Sequence, residues 1–179
     1  FGDQVFIYYT DSLINKILVN KKAFIYNDIY YRINENDIVR QFRNEMSAKK
    51  IIAKIKNNKI YNLKLVQMAT TLYHIVDDSL VIGNNEASGD SINIDFFDSS
   101  IKRIQVVGGA KGVFNPEKSN SKIDTTIFYG SETIDYQIDQ KKTYLFHNAY
   151  VEYQNTKLSS GKIIVDWETN ILDAINYDN

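Results

Sequence analysis

Residues 89–96, GDSINIDF, place alternating apolar and polar side chains after a small residue and a carboxylate. Ile92, Ile94 and Phe96 fall on one side of an extended chain, and the polar residues between them fall on the other. Strict alternation is typical of a β-strand, in which successive side chains point to opposite faces. The stretch therefore predicts a strand with one face buried and the other in water.

The same pattern recurs along the chain and indicates a repeated structural unit. Positions 48, 60 and 69 correspond to positions 89, 101 and 110, a constant offset of 41 residues. Self-similarity of this kind predicts an array in which each unit buries its apolar face against its neighbours. The copies are residues 2–7 (GDQVFI), 48–53 (AKKIIA), 89–94 (GDSINI), 131–136 (SETIDY) and 160–165 (SGKIIV).

Polar, turn-prone residues follow each alternating run and predict tight hairpins. Beyond each turn we expect a second strand, and a third strand beginning at the alanines that recur at positions 23, 69, 110 and 149. A helix competes only over residues 37–56, but the offset aligns this segment with one that contains Gly83 and Gly89, which disfavour a helix. The turns are residues 10–12 (TDS), 57–59 (NNK), 98–100 (DSS), 139–141 (DQK) and 168–170 (ETN).

Length and composition favour one all-β domain over residues 1–179. The chain starts at Phe1 within a strand pattern and without an initiator methionine, so we expect a fragment of a longer protein. A net charge of -1 argues against nucleic acid as a partner, and the absence of cysteine excludes thiolate metal sites and disulfides. His74 and His147 are the two histidines and lie far apart in the repeat, so no metal site, cofactor or catalytic residue is predicted.

The repeated Gly-Asp-x-Ile motif and residues 149–167, AYVEYQNTKLSSGKIIVDW, resemble the OstA-like family of lipopolysaccharide-transport proteins. This group includes LptA-like proteins and the N-terminal domains of LptD-like proteins. Residues 87–92 (ASGDSI) and 104–110 (IQVVGGA) carry the resemblance further, whereas Ala48 and Lys49 depart from the Gly-Asp pattern.

The resemblance implies a β-jellyroll, an open V of stacked antiparallel strands in the periplasm. It implies a non-enzymatic module of outer-membrane biogenesis that shields the acyl chains of lipopolysaccharide or a related lipid in an apolar groove. Other jellyrolls would join it at edge strands near residues 1–9 and 163–174, including head-to-tail copies of itself. The expected groove lining is Val5, Ile7, Tyr9, Ile51, Ala53, Ile55, Ile92, Ile94, Phe96, Ile134, Tyr136, Ile138, Ile163, Val165 and Trp167.

Three alternatives follow from the residues alone. The apolar face could fill the closed core of a β-sandwich or solenoid. A structural or carbohydrate-binding domain of a cell-surface protein could use exposed rings, for which the candidates are Tyr8, Tyr30, Tyr31, Tyr150 and Tyr153. An enzyme acting on polysaccharide would need two carboxylates converging in a cleft, for which the candidate pairs are Asp77 with Asp78, Asp95 with Asp98, and Asp135 with Asp139.

Overall fold

The computed structural model describes residues 1–34, 36, 38–77, 80–98, 100–117, 123–169 and 171–176. These residues form strands that pair antiparallel with their sequence neighbours in one sheet, in the order β1 to β10. No helix that could cross a membrane occurs in the described ranges. The strands are β1 (Gln4–Thr10), β2 (Leu13–Tyr31), β3 (Arg40–Lys56), β4 (Lys59–Asp77), β5 (Leu80–Phe97), β6 (Ser100–Pro116), β7 (Ile127–Gln137), β8 (Lys142–Tyr153), β9 (Thr156–Asp166) and β10 (Ile171–Ile175).

The described strands are joined by hairpins where the turn chemistry indicates them, although Ser99 and Asn170 of two predicted turns lie outside the described residues. Asp11 and Ser12 link β1 to β2, and Asn57 and Asn58 link β3 to β4, all four with positive φ. Asn and Asp tolerate this left-handed conformation better than most residues, which suits two-residue hairpin loops. The prediction of an all-β array of stacked antiparallel strands is confirmed.

A corner bends each of β2, β4, β6 and β8 near its middle. Two consecutive residues there have φ between 51° and 85°, as Lys21 and Lys22 do in β2. One residue stands opposite these two on β3, because Asn20 pairs with Lys50 and Ala23 pairs with Ala48. This arrangement is a β-bulge, which bends the strand and increases its twist. The other corner pairs are Gln67 and Met68, Gly108 and Gly109, and His147 and Asn148.

The repeated alanine lies directly after each corner, on its inner side. Ala23, Ala69, Ala110 and Ala149 are each only 1% exposed. Because β2 runs unbroken from Leu13 to Tyr31, the expectation of a separate strand beginning at each alanine is wrong. The alanines mark bends within long strands, where the interior has room only for a small side chain.

The corners divide the sheet into two leaves that face each other. The core joins residues of both leaves, and the rings of Phe114 and Trp167 meet across the interior at 6.2 Å between centroids. The first leaf comprises β1, β10 and residues 13–20, 50–56, 59–66, 91–97, 100–107, 133–137, 142–146 and 162–166. The second leaf comprises residues 23–31, 40–47, 69–77, 80–88, 110–116, 127–130, 149–153 and 156–160.

Glycine makes room for a large ring in the second leaf. Gly112 pairs with Tyr129 across β6 and β7. A Cβ atom on Gly112 would lie 2.2 Å from Cε2 of the Tyr129 ring, far inside van der Waals contact. The ring of Tyr129 therefore occupies the space that any other residue at position 112 would fill.

We predict that Gly112→Ala lowers the free energy of unfolding by about 2–3 kcal/mol, because the buried Tyr129 ring must move to accommodate the methyl group. Urea denaturation measures this change. The control is Gly109→Ala, whose Cβ would meet no atom within 4 Å although φ is +58°. It should cost only about 1 kcal/mol, the strain of a left-handed L-residue. Equal costs for the two variants would contradict the proposed packing of Tyr129 on Gly112.

Candidate functional site

The predicted lining residues all lie on the first leaf or directly after one of its strands, but they differ in exposure. Most of those on the central strands are buried, those near the strand ends are half-buried, and those on β1 and beyond the strand ends are open to water. Whether they contact a lipid stays a prediction. Ile51, Ala53, Ile92, Ile94, Ile134, Tyr136 and Ile163 belong to the buried core, Ile55, Phe96 and Val165 are half-buried, and Val5, Ile7, Tyr9, Ile138 and Trp167 are exposed.

The middle of the interior is filled by the protein's own side chains. Ile51, Leu65, Ile92, Ile134 and Leu145 are each at most 1% exposed. Packing of this kind resembles an ordinary protein core, with little space between side chains. A ligand in this part of the interior would therefore have to push the two leaves apart.

The first end of the array presents apolar residues to water. Val5 and Ile7 pair with Val19 and Ile17 and so lie on the interior face, yet they are 53% and 46% exposed. Beside the second leaf, Phe1 exchanges hydrogen bonds of 2.8 and 2.6 Å with Phe24 and stacks its ring on Tyr26, whereas β1 itself pairs with the first leaf. The interior face of β1 is consequently left uncovered.

At the other end, a cavity of about 310 Å³ opens between the leaves. Residues of the second leaf on β7 and β8 form one wall, and residues on and after β9 and on β10 form the other. The lining is mostly apolar, which suits a hydrocarbon ligand. It comprises Ile123, Ile127, Tyr129, Thr143, Val151, Tyr153, Val165, Asp166, Trp167, Ile171 and Leu172.

Trp167 is held in the cavity wall by two contacts. Its indole Nε1–H donates a hydrogen bond of 2.8 Å to Oγ1 of Thr143, which is 2% exposed. Its ring also packs against Phe114 of the second leaf. The polar edge of the indole is thus satisfied by the protein, and the apolar part of the side chain remains available to the cavity.

Charged and polar groups surround the cavity. Asp166 accepts hydrogen bonds of 3.0 Å from the backbone amides of Glu168 and Thr169 and lies 3.4 Å from Nζ of Lys142. The hydrogen bond from Thr169 is the main cause that lowers the pKa of Asp166. The hydroxyl of Tyr153 donates 3.0 Å to Asp124, and this hydrogen bond lowers the pKa of Asp124. The cavity therefore combines an apolar interior with ionised groups beside it.

Tyr129, Tyr136 and Asn85 form a polar triad inside the apolar interior. The Tyr129 hydroxyl donates to Oδ1 of Asn85 and lies 3.0 Å from the Tyr136 hydroxyl, and Nδ2 of Asn85 lies 3.5 Å from the Tyr136 oxygen. Tyr136 belongs to the first leaf and the other two to the second, so the triad joins the leaves. Burial raises the pKa of both tyrosines, which keeps their hydroxyls protonated.

The carboxylates considered for polysaccharide cleavage have partners on the sheet. Asp135 makes a bidentate pair with Arg103, at 2.7 and 2.6 Å. Asp95 accepts a 2.8 Å hydrogen bond from Asn62. Asp98 and Asp139 pair with Lys59 and Lys102, whereas the side chains of Asp77 and Asp78 lie outside the described residues.

The other sequence-based candidates do not converge on one site. The five tyrosines considered for carbohydrate binding are distributed over β1, β2 and β8. Lys16 lies 3.8 Å from the ring centre of Tyr8, and Lys157 lies 4.7 Å from that of Tyr150. In the part of the chain that the structure describes, no three His, Asp or Glu residues are placed to hold a metal ion.

Sequence reasoning missed most of the cavity. Of its lining, only Val165 and Trp167 were expected to face a groove. The missing wall belongs to the second leaf, which lies beyond the corners. A signal exists, because alternation resumes after the corner, with Ala149, Val151 and Tyr153 on one face.

Comparison with family models finds no match, and comparison with curated proteins finds none either. Among solved structures, the chain is similar to LptH of Pseudomonas aeruginosa, described as the LptA homologous periplasmic component of the conserved lipopolysaccharide transport device. The match has a TM-score of 0.57 and 13% sequence identity, and it covers 75% of this chain and 82% of LptH. The fold is an LptA-like β-jellyroll. At this identity the likeness shows the fold alone.

The LptA-like interior contains a second polar contact near its first end. Asn44 is 5% exposed, and its Oδ1 accepts a 2.9 Å hydrogen bond from the backbone N–H of His74. The same oxygen lies 3.1 Å from Nδ1 of His74, whose ring packs against Phe42. Burial lowers the pKa of His74, so the neutral imidazole is favoured in the folded protein.

We predict that the free energy of unfolding falls as the pH drops below about 6.5, the ordinary histidine pKa. The unfolded chain then binds a proton that the folded His74 resists, and the fall levels off below the folded pKa. Asp124 and Asp166 also have lowered pKa values, so their contributions to the free energy of unfolding change with pH in a more acidic range than that of His74. Urea denaturation between about pH 5 and pH 7.5 checks this, and His74→Gln should flatten the curve. An unchanged slope in His74→Gln would refute the assignment.

Proposed function

We propose that this chain is a non-enzymatic periplasmic module that carries lipopolysaccharide or a related lipid and shields its acyl chains between the two leaves. The observation that carries the proposal is the apolar cavity between Trp167 and Val151, which opens from the interior of an LptA-like β-jellyroll. LptH, whose fold it shares, is described as a periplasmic component of a lipopolysaccharide transport device. The proposal requires no metal or cofactor.

The physical need for such a carrier is large. Each exposed methylene costs roughly 0.8 kcal/mol, so an acyl chain of about twelve carbons costs on the order of 10 kcal/mol in water. Val151, Val165 and Leu172 offer hydrocarbon contacts from facing walls. Asp166 and Lys142 lie beside the cavity, where the polar head group of a lipid could remain in water.

Photo-crosslinking from neighbouring positions of β10 tests the proposal. Leu172 pairs with Val165 and faces the interior, whereas Asp173 pairs with Ile164 and faces outward. Leu172 is 38% exposed, so a bulkier crosslinking residue should be tolerated there. We predict that purified lipopolysaccharide forms a strong adduct with the Leu172 variant and little or none with the Asp173 variant, because position 172 faces the interior in which the acyl chains would lie and position 173 faces away from it.

Equal labelling at the two positions, or labelling at neither, would exclude lipid binding between the leaves. Circular dichroism of both variants before irradiation confirms that the sheet is intact. Competition by unlabelled lipopolysaccharide must reduce the adduct at position 172. Without this competition, the adduct would reflect nonspecific contact.

The proposal extends to assembly through the two end strands. Among the described strands, β1 and β10 each pair with a single neighbour, and a strand edge with free backbone groups can add a strand from another molecule. Every described residue of both strands is exposed. We infer that other jellyrolls of the transport system, or further copies of this chain arranged head to tail, pair with these edges and extend the apolar interior.

A charge on the exposed interior face of β1 should weaken this pairing. We predict that Ile7→Lys raises the dissociation constant for self-association at least about tenfold, because the joint would bury an unpaired ammonium group. Sedimentation velocity over a concentration series measures the constant. Val107→Lys on β6 is the matched control, since Val107 is 40% exposed and lies away from both ends. A wild-type chain that stays monomeric, or equal effects of the two lysines, would contradict pairing at β1.

A further inference from the structure

The cavity ends against the polar triad. Tyr129 lines the cavity, whereas Tyr136 and Asn85, which its hydroxyl contacts, do not. Beyond Tyr129 the interior is continuous core, in which Ile92, Ile94 and Val106 are fully buried. The ring of Tyr129 therefore separates the open part of the interior from the packed part.

The position of the Tyr129 ring is fixed from two sides. The ring lies against Gly112 on the neighbouring strand, and its edge meets the ring of Tyr136 at 78°, with 6.4 Å between centroids. The hydroxyl is held by the other triad members. Tyr129 itself is 5% exposed. A ring restrained by packing and by hydrogen bonds can act as a rigid end wall.

We propose that Tyr129 sets the length of the acyl chain that the cavity accepts. This inference rests on the proposed lipid-binding function and names the residue that limits it. A methylene occupies about the volume of a water molecule, roughly 30 Å³. A cavity of about 310 Å³ consequently holds a linear chain of about ten methylenes.

The triad makes the wall resistant to longer chains. Each of its three hydrogen-bonding links uses a donor and an acceptor within the triad. An alkyl chain that displaced Tyr129 would leave these buried polar groups without partners and could offer none in return. That loss exceeds what burial of one further methylene returns. Chain length beyond the wall therefore adds no affinity.

A homologous series of neutral alkyl glycosides, below their micelle concentrations, tests the inference. Trp167 is the single tryptophan of the chain and lines the cavity, so its emission reports binding. In the wild type, affinity should rise about fourfold with each added methylene and stop rising near about ten carbons. In Tyr129→Leu the rise should continue for about two to three more carbons, giving at least about tenfold tighter binding of the longer chains.

Tyr150→Leu is the matched control. Tyr150 lies on the same leaf and its ring also packs on a glycine, Gly130, but it does not line the cavity. In this variant, affinity should stop rising at the same chain length as in the wild type; we call this length the break. If the break in Tyr129→Leu falls at the wild-type length, or if the wild type shows no break, the inference is wrong.

If the proposed lipid-binding function itself is wrong, the wild type will bind no alkyl glycoside of any chain length. That result differs from the failure of the inference about Tyr129, in which the wild type binds but the chain-length limit does not depend on Tyr129. If Tyr129→Leu does not fold, Tyr136→Phe serves in its place, since it removes one hydroxyl contact of Tyr129 and keeps the aromatic packing. Longer chains should then bind more tightly than they bind the wild type. An unchanged break in Tyr136→Phe would overturn the role of the triad.

Discussion

The fold depends on the column of left-handed corners that bends every even-numbered long strand. A strand such as β4, from Lys59 to Asp77, would otherwise run straight and expose one apolar face along its whole length. The corner turns the two halves of that face toward each other. Most of the corner residues are not glycine, and each of these non-glycine residues carries a strain of about 1–2 kcal/mol in the left-handed conformation. Burial of Ala69, Leu65 and their equivalents between the leaves offsets this strain.

Polar groups are distributed differently inside and outside the leaves. On the outer face, Asp135 is 4% exposed and forms a bidentate pair with Arg103 on the neighbouring strand, which also raises the pKa of Arg103. Inside, the triad around Tyr129 and the pair of Asn44 with His74 are satisfied by neutral hydrogen bonds. No described buried side-chain nitrogen or oxygen is left without a partner. In the described part of the interior, a hydrocarbon chain would thus meet no unpaired buried charge.

Local pattern was enough to predict the extended segments and the hairpin turns, but not that the segments before and after each repeated alanine form one continuous bent strand. Alternation in residues 89–96 and turn residues such as Asn57 and Asn58 act over a few positions, and the structure follows them. The corners could not be predicted in the same way. The side chains at two corners, Lys21 with Lys22 and Gln67 with Met68, differ in type and include no glycine. No residue pattern therefore marks the corners, and we attribute their left-handed conformation to the packing of the two leaves. The strands expected after the repeated alanines were not assigned to the lining, so one whole wall of the cavity was absent from the sequence-based prediction.

The neighbour-to-neighbour order of the sheet has a consequence for how the chain reaches its fold. Each strand pairs with the strand that precedes it and the one that follows it, from β1 to β10. No strand has to wait for a partner far along the sequence, so little loop entropy is lost before contacts form. Folding can start at any hairpin and propagate in both directions, as in repeat proteins. The last strands to form and the first to open would be the terminal ones, which are those with the fewest neighbours.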